Sequence, residues 1–330
     1  MVGRSLCYAQ AIEWRIEIHG LPKMNNNLIN EKQALLFGLT AVLLWSTVAT
    51  AFKLTLAQLT PIQMLAVACV ISVISLLMIC AYQRQLGQIL PTFTANPKYF
   101  IISGLINPLC YYLILFQAYR LLPASQAQSI NYSWAMMLTI MAAIFLKQTI
   151  RKQDYLAAAL CYLGVLVIAT RGNLLALDFA SPVGVGLALL STLLWAGYWI
   201  LNTRNTADPV VSLLLGFLVA LPCTLILSLY EGADWSHITA QGWLSAVYVG
   251  LFEMGITFFL WLNALKRTRH TARISNLIFI SPFISLLLLA VIIQEQIHPA
   301  TLIGLVCIIT GLTIQQWARK PRSQSLKITK

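Results

Sequence analysis

The chain alternates between long apolar segments and short polar connections, without the one-in-two polarity alternation of half-buried strands. A helix that crosses a bilayer core needs about 20 apolar residues. Segments of this kind lie near residues 35–55, 61–82, 99–118, 124–146, 154–170, 182–202, 210–230, 242–265, 273–293 and 299–317. The strands of a membrane β-barrel would be roughly half as long and would alternate in polarity. The pattern therefore predicts an all-α membrane protein with ten transmembrane helices.

Polar segments flank the ten spans at both ends of the chain. Residues 1–34 contain three Glu and lack the apolar core of a signal peptide, so they are predicted to be a cytoplasmic tail. Met24, followed by three Asn, is a candidate native start. Residues 319–330 are predicted to be a basic cytoplasmic tail. Between the tails, residues 35–170 and 171–318 hold five spans each.

Composition agrees with a membrane protein. Hydrophobic residues make up 59% of the chain and charged residues 10%, whereas soluble domains carry roughly 25% charged residues. This excludes a soluble globular enzyme and a disordered chain. The net charge of +12 comes from residues scattered between apolar segments, and they form no basic face, so no nucleic-acid partner is predicted.

The basic residues predict how the chain is oriented. Lys and Arg favour the cytoplasmic side of a membrane. With the N-terminus inside, all of the 22 Lys and Arg except Lys53, Arg120 and Arg171 fall in cytoplasmic segments. Lys53 lies near a span end, from which its side chain can reach the interface. We therefore expect a multi-pass protein of the inner cell membrane with both termini in the cytoplasm.

The two halves of the chain resemble each other. Leu43–Ser46 matches Leu193–Ala196, and residues 119–148 align without gaps to residues 266–295. Because each half has an odd number of spans, the two halves must have opposite orientations in the membrane. The basic residues agree, since equivalent loops carry opposite charge bias. The sequence thus predicts two inverted five-helix repeats, an architecture typical of secondary transporters that work by alternating access.

Polar and aromatic side chains near midspan are candidates for substrate binding, because polar groups in hydrocarbon are costly and usually face the bundle interior. An aromatic lining suits aromatic or amphipathic solutes and cations. Packing between helices is the alternative role. Tryptophans nearer span ends, at 235, 243, 261 and 317, are predicted to be interface anchors. The candidate substrate-binding residues are Trp45, Tyr111, Asn131, Tyr132, Trp134, Trp195, Tyr198 and Asn276.

Glu253 is the charged residue that lies deepest in a span, where its ionised form would cost roughly 3 kcal/mol against lipid. It is predicted to carry a coupling proton or to pair with a substrate amine. A neutral, hydrogen-bonded glutamic acid is the alternative. Pro282 and Pro108 interrupt spans and are candidate hinges, with a static kink as the alternative.

The remaining motifs exclude several other functions. Seven Cys and four His show no metal-binding or redox spacing, and the sequence has no Walker-type phosphate loop. No metal, no cofactor and no enzymatic activity are predicted. Gly304 and Gly311 are spaced for close helix packing, within the chain or at a dimer contact. We therefore expect a monomer or a weak homodimer.

Several short motifs, in this order along the spans, resemble EamA-type members of the drug/metabolite transporter superfamily. They are Leu-Leu-Trp-Ser-Thr at 43–47 with Lys53, Tyr119 with Pro123-Ala-Ser, Ser281-Pro282 with Glu295, and Gly304 with Gly311. Asn131-Tyr132-x-Trp134 also resembles the branch of this family that exports aromatic amino acids. Ala135 replaces a proline usual in the family, which argues against a kink in the fourth span. Lys147-Gln148 also replaces the usual acidic-basic pair.

The resemblance covers residues 35–318 and implies efflux of a small metabolite, coupled to protons or driven by the substrate gradient. Together with the repeat, it predicts a secondary exporter of small organic metabolites such as amino acids or amphipathic amines. An exchanger or importer on the same fold is the first alternative. A membrane-embedded enzyme would need a clustered His, Asp or Ser site, and a non-transporting subunit would not need the buried Glu253.

Overall fold

The computed structural model describes residues 29–175, 179, 181–269 and 271–317. All regular secondary structure within these ranges is helical. Most of both predicted tails, with the candidate start Met24, lies outside them. The helices are α1 (Glu31–Leu56), α2 (Pro61–Tyr82), α3 (Ile89–Ala95), α4 (Pro97–Gly104), α5 (Tyr111–Leu121), α6 (Ala124–Asn131), α7 (Trp134–Phe145), α8 (Lys152–Ala169), α9 (Pro182–Asn202), α10 (Pro209–Tyr230), α11 (Ala240–Phe252), α12 (Ile256–Lys266), α13 (Thr271–Ser275), α14 (Ser281–Ile292) and α15 (Pro299–Trp317).

Within these ranges, nine helical segments are long and apolar enough to cross a membrane. They coincide with nine of the ten predicted spans. The interval 124–146 differs because it holds two shorter helices, α6 and α7, separated by a turn at Tyr132 and Ser133. Neither helix alone has the length of about 20 residues that a crossing requires. The chain is therefore a multi-pass helical membrane protein, and a tenth crossing stays a prediction.

Prolines mark the starts of the long helices. Proline is well placed at the first helical position, since its missing N–H would have no partner there and its φ is already helical. Side chains of the preceding residues complete several of these starts: Thr60 accepts a hydrogen bond from the Gln63 amide at 3.3 Å, and Asp208 accepts one from the Val210 amide at 2.8 Å. Helices begin with proline at Pro61, Pro97, Pro182, Pro209 and Pro299.

Four of the predicted spans are interrupted near their middle. Asn107 has extended backbone angles (φ −142°, ψ 118°) inside the π-helical turn between α4 and α5. The other breaks lie at 132–133 between α6 and α7, at 253–255 between α11 and α12, and at a 3₁₀ turn, Asn276–Ile280, between α13 and α14. The departure at Ala135 argued against a break in the fourth span, and that expectation was wrong. In contrast, α10 continues through Pro222.

Small residues let α8 and α15 pack against each other along their length. A Cβ added at Gly164 would lie 2.5 Å from the carbonyl oxygen of Gly304, and one added at Gly311 would lie 2.7 Å from that of Ala157. Both predicted packing glycines, 304 and 311, thus face another helix of the same chain. Other packed pairs are α2 with α10, α5 with α9, α1 with α12, α7 with α9, α1 with α14, α2 with α11 and α4 with α10.

Each end of helix α1 contacts a different connection between two helices, and we call these two connections corners. At its C-terminal end, which we call the Lys53 end, the Lys53 ammonium donates to the carbonyl oxygens of Tyr119 and Leu122, both at 2.9 Å. At its N-terminal end, the Glu31 end, the carboxylate accepts hydrogen bonds from Thr268 Oγ1 at 2.8 Å and the Arg269 amide at 2.7 Å. Lys53 is therefore bound to the protein near the end of its span, and its reach to the membrane interface stays a prediction.

Candidate substrate cavity

A cavity of about 160 Å³ lies near midspan inside the bundle, and we call it the central cavity. It lies beside the breaks in the interrupted spans, because Tyr132 and Glu253 both contribute to its wall. Its polar lining comes from Gln128, Asn131 and Glu253. Aromatic rings form most of the rest: Trp45, Phe52, Tyr111, Tyr119, Tyr132, Trp134, Trp195, Trp199, Phe258 and Trp261.

The structure brings most of the predicted site residues to this one cavity. Glu253 and six of the eight predicted substrate-binding residues line it, the six being Trp45, Tyr111, Asn131, Tyr132, Trp134 and Trp195. Tyr198 lines a neighbouring cavity instead. Asn276 is exposed and lines neither cavity, whereas Ile278 of the same 3₁₀ turn lines the central cavity.

Two tryptophans at equivalent places in the two halves are each surrounded by aromatic rings. The Trp195 ring lies 4.7 Å from the ring of Tyr111 and 6.3 Å from that of Trp134. The Trp45 ring lies 5.5 Å from each of the Phe258 and Trp261 rings. Ring pairs at these separations stabilise each other by roughly 1 kcal/mol beyond their buried area. The aromatic wall is therefore a packed surface against which a planar group can stack.

Glu253 lies where span 8 is interrupted, directly after α11. One of its carboxylate oxygens, Oε1, accepts a hydrogen bond from the Tyr112 hydroxyl at 3.2 Å. Tyr112 is 2% exposed and does not line the cavity, while its neighbour Tyr111 does. This agrees with helical geometry, in which adjacent residues point in different directions.

Sequence reasoning missed five aromatic residues of the central cavity, namely Phe52, Tyr119, Trp199, Phe258 and Trp261. Trp261 is 2% exposed and contacts Trp45, so its predicted role as an interface anchor is wrong. Trp199 lies four residues after Trp195, and this spacing places both rings on one face of α9. That spacing was the available signal. Phe258 carries no comparable signal, because a phenylalanine in an apolar span is ordinary.

A second, smaller cavity of about 60 Å³ adjoins the central cavity toward the Glu31 end. The two cavities share Trp195, Trp199 and Phe258 in their walls, so these rings separate them. The smaller cavity is also lined by Tyr198 and by the amides of Asn107, Asn202 and Asn205. Tyr99, in the first turn of α4, donates a hydrogen bond to Asn202 Oδ1 at 2.8 Å and thereby holds that amide in place.

Toward the Lys53 end, an acidic side chain closes the corner between α5 and α6. Glu295 accepts hydrogen bonds from the backbone amides of Ala124 and Ser125, both at 2.9 Å. A carboxylate at this position also complements the partial positive charge of a helix N-terminus. Lys53 holds the carbonyl oxygens just before the same corner. Two opposite charges thus fix residues 119–125 in place.

The two predicted hinges lie at or beside the breaks. Pro282 is buried in the first turn of α14, directly after the 3₁₀ turn. The preceding Ser281 accepts a hydrogen bond from the Ser46 hydroxyl of α1 at 3.2 Å. Pro108 lies in the π-helical turn between α4 and α5. No group of three or more His, Cys, Asp or Glu in the described part of the chain could hold a metal ion.

Comparisons with known proteins give a consistent result. The chain is 25% identical over 267 residues to the aromatic amino acid exporter YddG of Ancylobacter novellus, covering 80% of this chain and 90% of that protein. It is 23% identical to an uncharacterized transporter of Clostridium kluyveri, covering 90% and 97% of the two chains. It is also 24% identical to protein PecM of Dickeya dadantii, covering 70% and 77%.

A solved crystal structure shares the fold, with a TM-score of 0.59 and 22% identity over 87% of this chain and 98% of that one. The model of the EamA-like transporter family matches the chain twice, over residues 32–170 and 182–315. The family and the names of the relatives point to a transporter rather than an enzyme. The chain therefore belongs to the EamA-like transporter family of the drug/metabolite transporter superfamily.

Proposed function

We propose that this protein is a secondary active exporter of small organic metabolites that carry an amino group and an apolar or aromatic part, namely amino acids or amphipathic amines. The observation that carries the proposal is the central cavity, where an aromatic wall and a single carboxylate meet beside the breaks of several spans. Transporters bind substrates near the bilayer midplane, where discontinuous helices meet at the interface between repeats.

We propose alternating access by two inverted repeats, with residues 35–170 and 171–318 as the proposed halves and α6–α7 as a tenth crossing. The helix contacts support this arrangement. Each span has a counterpart in the other half, five spans away. When every span is replaced by its counterpart, the packed pair α5–α9 becomes α12–α1 and the packed pair α7–α9 becomes α14–α1. The pairs α2–α10 and α8–α15 join equivalent spans. Such a contact pattern is expected of two halves related by a twofold axis in the membrane plane.

The contacts of α1 give further support. Its Lys53 end holds the corner at 119–122, and its Glu31 end holds the corner at 267–269. The alignment of the two halves makes these corners equivalent, with an offset of 147 residues. Equivalent corners at opposite ends of one helix are what inversion predicts. The distribution of basic residues would then place the Glu31 end and both termini in the cytoplasm, and the Lys53 end outside the inner membrane.

The direction and the substrate are proposed from two further observations. A relative that covers most of this chain is named as an aromatic amino acid exporter. The aromatic rings around the cavity also suit stacking with an aromatic group. Glu253 faces the cavity and is the proposed site that couples transport to protons.

Transport by purified protein in proteoliposomes tests the proposal. Vesicles loaded with unlabelled phenylalanine or phenethylamine should accumulate the labelled compound by counterflow, and protein-free vesicles should not. In cells, overexpression should raise resistance to toxic amino-acid analogues or cationic drugs. Counterflow with increased sensitivity would instead indicate an importer or exchanger on the same fold. The absence of counterflow with every aromatic amino acid and amine would contradict the proposal.

A further inference from the structure

The central cavity contains a carboxylate with no cationic partner. No Lys, Arg or His lies among the residues that line the cavity. Lys53 lies at the corner formed by residues 119–122, and both of its hydrogen bonds go to carbonyl oxygens there. The Tyr112 hydroxyl is the donor that the described residues give to Glu253. Because a buried carboxylate without a counter-charge is costly, the cavity favours a ligand that brings a positive charge.

A second unsatisfied group in the cavity wall also accepts hydrogen bonds. Gln128 is 8% exposed, and its Oε1 has no hydrogen-bond partner. One of the two N–H groups of the Asn131 amide is used within the protein, since it donates to Ser191 Oγ at 3.0 Å. A protonated amine carries up to three N–H donors and no acceptor. It therefore matches the two acceptors that Glu253 and Gln128 offer.

The same cavity offers no cationic group to a substrate carboxylate. Carboxylates are bound in proteins by Arg or Lys or by several converging N–H donors. The donors of the cavity wall are neutral, and one of them, Trp199 Nε1, has no partner. The negative charge of a carboxylate would also lie in the same small cavity as Glu253, where low dielectric strengthens repulsion between like charges.

The aromatic wall completes the match to a cation attached to a ring. Trp45, Trp195 and Phe258 all line the cavity that Glu253 faces, and the faces of aromatic rings attract ammonium groups. We propose that the cavity selects aromatic monoamines, which carry one ammonium and no carboxylate, over zwitterionic aromatic amino acids. This inference rests on the proposed transport function and specifies its substrate class.

Binding of four phenyl compounds to the full-length protein in detergent, measured by titration calorimetry, tests the inference. Phenethylamine and phenylalanine methyl ester both present an ammonium without a carboxylate and should bind at least 10-fold more tightly than phenylalanine. The anion 3-phenylpropionate should bind most weakly. Glu253→Gln should reduce phenethylamine affinity at least 10-fold and leave 3-phenylpropionate binding unchanged or stronger. Elution as a single species and an unchanged unfolding midpoint would show that the variant folds.

Glu231→Gln is the matched control, because Glu231 is an exposed residue that bonds Thr60 at 2.9 Å, outside the cavity. It should leave all four affinities unchanged. Phenylalanine binding as tightly as phenethylamine, or a Glu253→Gln variant with unaltered phenethylamine affinity, would overturn the inference. Counterflow of phenylalanine but not of phenethylamine would also overturn it, while the proposed function would stand. The absence of counterflow with both compounds would refute the proposed function itself.

Discussion

At the scale of single residues, the composition of the cavity wall sets what the protein can bind. The side chains that predicted the site from sequence share one property, which is that each is costly or unusual in hydrocarbon. Six aromatic and polar candidates and Glu253 line the cavity for that reason. Asn276 does not line the cavity. Its placement was predicted from helical spacing, which does not apply because its segment forms a 3₁₀ turn.

Glu253→Gln should remove the pH dependence of transport while leaving folding intact. Glutamine keeps the shape of the side chain and its ability to accept from Tyr112, but it cannot release or bind a proton. Counterflow and proton-driven uptake measured between pH 6 and pH 8 in proteoliposomes check this, with Glu231→Gln as the control. An unchanged pH profile in the Gln variant would remove Glu253 from the coupling mechanism.

At the scale of helices, the positions of the spans could be predicted, but only the two of the four breaks that lie at or beside Pro108 and Pro282 could be. Apolar length alone located nine long helices, because crossing a bilayer imposes that length. The breaks at Tyr132 and at Glu253 contain no proline, and the second one has only Gly255 as a weak local signal. They depend on tertiary contacts such as the hydrogen bond from Asn131 to Ser191.

Gly304→Ala should destabilise the protein by about 1–3 kcal/mol, the usual cost of overpacking a tight contact. The added Cβ would lie 2.4 Å from Ile168 Cγ1 and 2.5 Å from the backbone oxygen of Gly164. The unfolding midpoint in detergent measures the effect. Gly186→Ala is the control, since its Cβ would meet nothing within 4 Å and alanine favours a helix. Equal midpoints for the two variants would show that α8 and α15 do not need this contact.

Pro282→Ala should slow turnover several-fold without weakening substrate binding. Proline in the first turn of α14 cannot donate a backbone hydrogen bond, so the preceding 3₁₀ turn can rearrange without breaking one. Alanine would add that donor and favour a continuous helix. The initial rate of counterflow and the binding affinity, measured on the same preparation, separate the two effects. Pro222→Ala within the uninterrupted α10 is the control. Wild-type turnover in Pro282→Ala would contradict the hinge role of Pro282.

At the scale of the whole molecule, α1 contacts two corners of the chain, which would open in turn under the proposed alternating access. The contacts at one corner come from Lys53 and Glu295, and those at the other come from Glu31. The sequence predicted the equivalence of the corners from the alignment of the halves. It did not predict these contacts, because each joins residues at least 66 positions apart.

Lys53→Met should shift the protein toward the state that is open at the Lys53 end. The substitution keeps the length of the side chain but removes both hydrogen bonds to the corner. With the native cysteines replaced, Tyr119→Cys provides a cavity position that a membrane-impermeant maleimide can label from that side. Labelling should become at least threefold faster in the Lys53→Met background. Lys98→Met, at an exposed position, is the control. Equal labelling rates in the Lys53→Met and Lys98→Met backgrounds would show that Lys53 does not hold the corner closed.

The concentration of indole rings in the central cavity gives the protein an optical property of its own. Five of its nine tryptophans, at 45, 134, 195, 199 and 261, line that cavity. Their emission depends on the polarity and the quenching groups beside them, so it should change when water in the cavity is replaced by a bound amine. Phenethylamine does not emit in this range, and its occupancy can therefore be followed in the unlabelled wild-type protein. The fluorescence of the tryptophans inferred to recognise the substrate should thus also measure substrate binding in real time, without an added probe.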